Sequence, residues 1–273
     1  MKKIARKISA ALFILLAVAL FLFFTLPLPG TIPVLMYHYI GPEGKLKSEG
    51  LFVTPENFDR QMAFLKNFHY HVLSIEEYDA IQSGKRKPQG REVLITFDDG
   101  HISFKNEAVP ILKKYGLPAT MFLISDSAIK GGVEDYRGSM SIKDIQTLEG
   151  YPGISFEGHT QTHPHLPEIP EAQIEKELVQ SKEDLETLLK RPVDYLAYPY
   201  GQFDRRVVAF AVKAGYRLAF TTGHKKLGDI PEGPYSMTRI KISQVSNNPI
   251  VFWYHISGIH QVIKSFRQRS KYS

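Results

Sequence analysis

Val93-Leu94-Ile95-Thr96-Phe97-Asp98-Asp99-Gly100 is the stretch from which the fold is read. Val93–Phe97 lacks the polar alternation of a strand with one wet face, so both of its faces are expected to be buried. Two carboxylates follow at once, then a glycine that lets the backbone turn sharply. Adjacent carboxylates repel each other, and a bound metal or a division of roles is the usual reason for keeping both. An ordinary acidic turn would look the same in isolation.

Similar runs recur at Pro33–Tyr39, His71–Leu73, Ala119–Ile124, Ile154–Glu157, Tyr195–Tyr198, Leu218–Thr221 and Met237–Ile242. Helical patterns separate them. Thr54-Pro55-Glu56 offers an N-cap with proline at the first helical position, and Phe58, Met62 and Leu65 follow on one face. Ser74-x-x-Glu77 is a capping box. Glu171–Leu189 carries Ile174, Leu178, Leu185 and Leu188 along one side. Strand–helix alternation predicts an α/β fold with a mainly parallel sheet, open or closed into a barrel. Its site is expected at the C-terminal ends of the strands.

One further segment places chemistry there. His159-Thr160-Gln161-Thr162-His163-Pro164 follows the strand expected at Ile154–Glu157. Imidazoles four residues apart can converge on one metal, and Pro164 argues for a loop rather than a continuing helix. Alone, the spacing fits surface histidines equally well. Paired with two carboxylates at another strand end, it makes a plausible His, His, Asp site. The chain has no cysteine, so any metal must take its donors from His, Asp or Glu.

The TFDDG and HTQTHP segments, with Tyr198-Pro199-Tyr200-Gly201, resemble the first three motifs of the NodB-homology polysaccharide deacetylases, carbohydrate esterase family four. The resemblance implies a distorted (β/α)7-type barrel that removes N-acetyl groups from a polysaccharide containing N-acetylglucosamine. It implies Asp99, His159 and His163 as ligands of a divalent cation, Zn²⁺ being expected and Co²⁺, Ni²⁺ or Fe²⁺ able to use the same donors. It makes Asp98 the general base for the attacking water and the Tyr200 N–H a donor to the oxyanion.

Two departures from the family pattern matter. Ala197 stands where the family usually has an arginine that orients the base. Arg239 is the candidate substitute, its plainer alternative being a surface salt bridge. The late Leu-x-Leu-His string that supplies the general acid is missing, and Pro33-Val34-Leu35-Met36-Tyr37-His38 opens the domain instead. That order resembles the circularly permuted bacterial poly-N-acetylglucosamine deacetylases, and it implies that His38 protonates the leaving amine. A structural histidine is the alternative. These departures favour poly-N-acetylglucosamine over peptidoglycan or chitooligosaccharides as substrate. A non-catalytic carbohydrate-binding protein on the same fold is the reading of another class.

Ile8–Leu26 is a nearly unbroken apolar run of 19 residues, preceded by Lys2, Lys3, Arg6 and Lys7. Its length spans a bilayer core of about 30 Å, and the preceding cations set the orientation. Residues 1–29 are therefore expected to be a basic tip and transmembrane anchor, and residues 30–273 an extracellular catalytic domain. Secretion after signal cleavage is the alternative, although no A-x-A-like site follows. Without those four cations the chain has 30 basic against 28 acidic groups, no footprint for nucleic acid. The basic run from Lys264 to Lys271 reads as a solvated tail. Phe252, Trp253 and Tyr254 are expected to pack rather than to form a sugar platform.

Overall fold

The structure, a computed structural model, describes residues 32–41, 50–131, 138–222 and 233–258. β1 (Val34–Tyr37) precedes two short strands that pair with each other outside the main sheet, β2 (Tyr39–Ile40) and β3 (Phe52–Val53). β4 (His71–Leu73) then joins the first half of β5 (Glu92–Phe97). β6 (Ala119–Leu123), β7 (Ile154–Gly158), β8 (Tyr195–Ala197), β9 (Leu218–Thr221), β10 (Met237–Thr238) and β11 (Ile240–Lys241) complete the strands.

The main sheet runs β10-β9-β8-β7-β6-β5-β1-β11, and every neighbouring pair is parallel. β10 and β11 lie at opposite ends of this order although only Arg239 separates them in sequence. Met237 pairs with Phe220 of β9, and Ile240 pairs with Leu35 of β1. A single interrupted strand thus draws both edges of the sheet together, giving a nearly closed parallel barrel of seven staves.

The helices are α1 (Pro55–Asn67), α2 (Ile75–Gln82), α3 (Val109–Tyr115), α4 (Ser125–Lys130), α5 (Ile142–Glu149), α6 (Glu171–Leu189), α7 (Arg205–Lys213) and α8 (Pro249–Ile256). Their starts follow the sequence. The Thr54 hydroxyl accepts from the Asn57 N–H, and Ser74 and Glu77 cap each other reciprocally. Each such cap contributes about 1 kcal/mol.

Side-chain parity divides the core in two. Val93, Ile95 and Phe97 face the helices, as do Leu35, Tyr37, Met121 and Leu196. Leu94 faces inward with Val34, Phe122, Ala197 and Phe220, and Ile75 and Tyr78 of α2 join that inner cluster, closing the barrel's N-terminal mouth. By the same parity Thr96 and Asp98 point inward at the other end. All six residues of β5 are buried, as the unbroken apolar run predicted.

Every expected strand is present, with two breaks. The run Pro33–Tyr39 is interrupted at His38 and the run Met237–Ile242 at Arg239. In both cases the interrupting side chain turns toward the site described below. Phe252 and Trp253 are buried, in keeping with packing. Ile8–Leu26 and the basic run near the C-terminus lie outside the described residues. Among those residues, no helix is long and apolar enough to cross a membrane.

Candidate active site

Asp98 and Asp99 leave β5 in opposite directions. Asp99 has φ 74° and Gly100 φ 79°, two successive left-handed residues that reverse the chain. A Cβ on Gly100 would meet only a side-chain tip, Leu123 Cδ2 at 2.9 Å, so the left-handed conformation rather than space is what calls for glycine. The reversal leaves Asp98 buried inside the barrel, while the Asp99 side chain is 41% exposed and faces the loop after β7.

That loop carries His159 and His163. The His159 N–H continues the β6–β7 ladder by donating to the Leu123 carbonyl at 2.8 Å. His159 Nδ1 lies 2.7 Å from the Ala197 carbonyl, which fixes Nδ1 as the donor and leaves Nε2 as the lone-pair nitrogen. The backbone then turns through Thr160 and His163, both left-handed at φ 65° and 64°. His159 Nε2 and His163 Nε2 stand 3.6 and 3.7 Å from the same oxygen, Asp99 Oδ1.

Donor atoms of these three residues all lie within 4.8 Å of one another. Ligands about 2.0–2.1 Å from a tetrahedral zinc would be about 3.3 Å apart, so the set needs little adjustment to take such a cation. Burial, with His159 next, holds the His163 imidazole down at about 4, against the pull of Asp99. It is therefore neutral at pH 7, the form that ligates.

Asp98 lies just outside this triad. Both of its oxygens accept from Arg239, Oδ1 from NH1 and Oδ2 from NH2, each at 2.6 Å, and NH1 also reaches the Thr96 hydroxyl at 3.3 Å. The Arg239 side chain is fully buried, so the plainer alternative of a surface salt bridge is corrected: the break in the closing strand turns it into the barrel. Burial alone would raise the Asp98 carboxyl. Arg239, followed by His159, outweighs burial and holds it at about 2. His38 Nε2 and His159 Nε2 both stand 4.0 Å from Asp98 Oδ2. Burial lowers the His38 pKa.

The fourth wall is the turn after β8. Tyr200 (φ 57°) and Gly201 (φ 67°) repeat the left-handed pair seen at Asp99-Gly100. A Cβ on Gly201 would come within 2.4 Å of the Thr222 backbone nitrogen. Thr221 and Thr222 hydroxyls hold the turn by donating to the Gly201 and Tyr200 carbonyls at 2.7 and 3.3 Å. Among the described residues no acceptor takes the Tyr200 N–H. The Tyr200 ring stands half exposed between His163, at 4.6 Å, and His165, stacked on it at 3.9 Å.

The structure therefore brings together Asp98, Asp99, His159, His163, His38, Tyr200 and Arg239. Residues 85–219 match the family described as polysaccharide deacetylase. The deacetylase PplD of Streptococcus pyogenes, solved with acetate, is 31% identical; the match covers 83% of this chain and 98% of PplD, with a TM-score of 0.71. The chain belongs to the polysaccharide deacetylase family. A polysaccharide deacetylase from Bacillus cereus is 32% identical, with 82% of this chain and 68% of that one covered and a TM-score of 0.69. The poly-β-1,6-N-acetyl-D-glucosamine N-deacetylase of Staphylococcus aureus is 29% identical over 201 residues, covering 70% of this chain and 68% of the relative. This deacetylase is accordingly a hydrolase of non-peptide carbon–nitrogen bonds.

Two features of the deacetylase site escaped the sequence reading. Glu177, on the buried face of α6, reaches the loop between the two histidines; an acid three residues after Ile174 and one before Leu178 was the available signal. His165, given no role from sequence, is held against Tyr200, its Nδ1 2.8 Å from Gln202 Oε1. No sequence pattern pointed to that pairing.

Proposed function

We propose that the protein hydrolyses the acetamide of N-acetylglucosamine units in an extracellular polymer, poly-N-acetylglucosamine being favoured, with Asp99, His159 and His163 holding a divalent cation. When bound, that cation supplies the Lewis acidity an amide carbonyl needs. The remaining work belongs to the chain. Asp98 takes a proton from the attacking water. Arg239 fixes both oxygens of that base and keeps it ionised, the task left open by Ala197. The Tyr200 N–H donates to the oxyanion of the tetrahedral intermediate. His38 gives a proton to the nitrogen as the C–N bond breaks, releasing free amine and acetate.

The observation that carries this reading is the convergence of three ligating side chains on one point with a buried, ion-paired carboxylate beside them. The S. aureus relative's name supports the polymer, and the acetate bound to PplD is the expected product. Acetate release from poly-N-acetylglucosamine, peptidoglycan and chitooligosaccharides by purified protein tests the substrate. Equal release from all three, or none from the first, would overturn that preference. Asp98→Asn is expected to bind metal normally and lose about 10²–10⁴-fold in turnover, whereas His163→Ala loses both. Normal acetate release by Asp98→Asn would remove the base assignment. The reading includes a membrane tether through Ile8–Leu26, checked by protease accessibility of the domain on intact cells.

A further inference from the structure

We infer that Glu177 is a positioning residue for the cation site, its charge balanced by the cation itself; the inference rests on the metal centre proposed above. Glu177 is only 3% exposed. It accepts three hydrogen bonds, from the Gln161 N–H at 2.9 Å, the Thr162 N–H at 2.8 Å and the Thr162 hydroxyl at 2.6 Å. All three donors belong to the two residues midway between the ligands His159 and His163.

The segment they hold is strained at both ends. Thr160 and His163 are non-glycine residues in the left-handed region, a conformation that persists only where the surroundings over-determine it. The determination is on the page. Ser125 and Asp126 N–H groups donate to the Thr160 and Gln161 carbonyls at 3.1 Å each, and the His163 N–H donates to the Thr160 hydroxyl at 3.1 Å. Glu177 takes the Gln161 and Thr162 amides, so α4 and α6 grip the loop from opposite polarities. A carboxylate that fixes the backbone beside a metal-binding imidazole acts on the metal through the ligand.

Its charge is the second part. Two other acids of α6 have cationic partners, Glu175 with Lys213 at 2.7 Å and Glu186 with Lys182 at 2.9 Å. Glu177 has no Lys, Arg or His partner among the described residues. A buried anion whose only partners are neutral donors is expensive to keep. A dication on the adjoining histidines supplies the missing countercharge, and Glu177 in turn raises the affinity of the site for it.

Chelator-competition titration of Zn²⁺ into the full-length protein, with wild type, Glu177→Gln, Glu177→Ala and His163→Ala, tests this. The Gln variant retains an acceptor for both amides and loses the charge. It is expected to bind Zn²⁺ about 10-fold more weakly while the metal-free protein melts at or above the wild-type temperature. The Ala variant loses charge and grip together and is expected to approach a 100-fold loss. A purely structural role would lower the metal-free melting temperature of Glu177→Gln and leave its Zn²⁺ affinity unchanged. Gln-variant affinity within twofold of wild type overturns the inference, whether or not the Ala variant folds. Wild type binding no better than His163→Ala would remove the metal centre itself, and this inference with it.

Discussion

Asp98 and Asp99 are chemically identical neighbours given different surroundings by one reversal of the backbone. Asp98 is buried against Arg239 and stays ionised down to about pH 2; Asp99 is half exposed and faces two imidazoles. The Asp98–Arg239 pair is fork-to-fork, so the two cations available to a mutation are not equivalent. Arg239→Lys keeps the charge, loses one arm of the fork, and is expected to fold with turnover reduced tenfold or more. Arg239→Met leaves a buried carboxylate without its hydrogen-bonded cation, and chemical denaturation should show a loss of about 3–5 kcal/mol. Adding Asp98→Asn to Arg239→Met should recover part of that loss, a coupling a double-mutant cycle measures. His163 sets a pH window. The unfolded imidazole takes its proton near 6.5 and the folded one only near about 4. Between those values the unfolded chain binds more protons, so the stability of metal-free protein falls as pH drops across the window. Thermal melts in chelator from pH 7 to pH 4 should show this slope, and His163→Ala should flatten it.

Turns, rather than strands, do the aiming. Asp99-Gly100 and Tyr200-Gly201 are each a left-handed pair at the C-terminal end of a stave, and each swings a functional group over the barrel mouth. Gly201→Ala would drive a Cβ into the Thr222 backbone, which cannot yield as a side-chain tip can. The expected outcome is loss of most turnover, with Zn²⁺ affinity close to wild type, because the proposed ligands Asp99, His159 and His163 sit on other turns. Local signals made much of this readable in advance. Unbroken apolar runs marked strands buried on both faces, Ser74 and Glu77 marked a helix start, and the DDG and HTQTHP segments marked two site turns. What stayed open or hidden depends on contacts between distant segments. Arg239 was legible only as a candidate substitute for the arginine missing at Ala197, because it lies 141 positions from Asp98 and only the closing of the sheet brings them together. Glu177 drew no reading from the sequence, because the loop it grips reaches it only in the folded chain.

At the level of the whole barrel, seven staves close through a strand that changes partners in its middle, bonding β9 before Arg239 and β1 after it. Each half contributes only two residues of pairing. Pairing this short, at the seam where the two edges of the sheet meet, makes it a place where sub-global opening should begin. In a urea titration, acetate release is therefore expected to disappear below the midpoint seen by far-ultraviolet circular dichroism, and coincident curves would contradict the assignment. Hydrogen exchange at the Ile242 amide, which bonds the Met36 carbonyl, should report the same early event. The fastening that completes the cylinder also carries the guanidinium bound to Asp98, the proposed base. Catalysis in this molecule is consequently a gauge of closure: a barrel ajar by one stave would still look folded to most probes and would already be chemically silent.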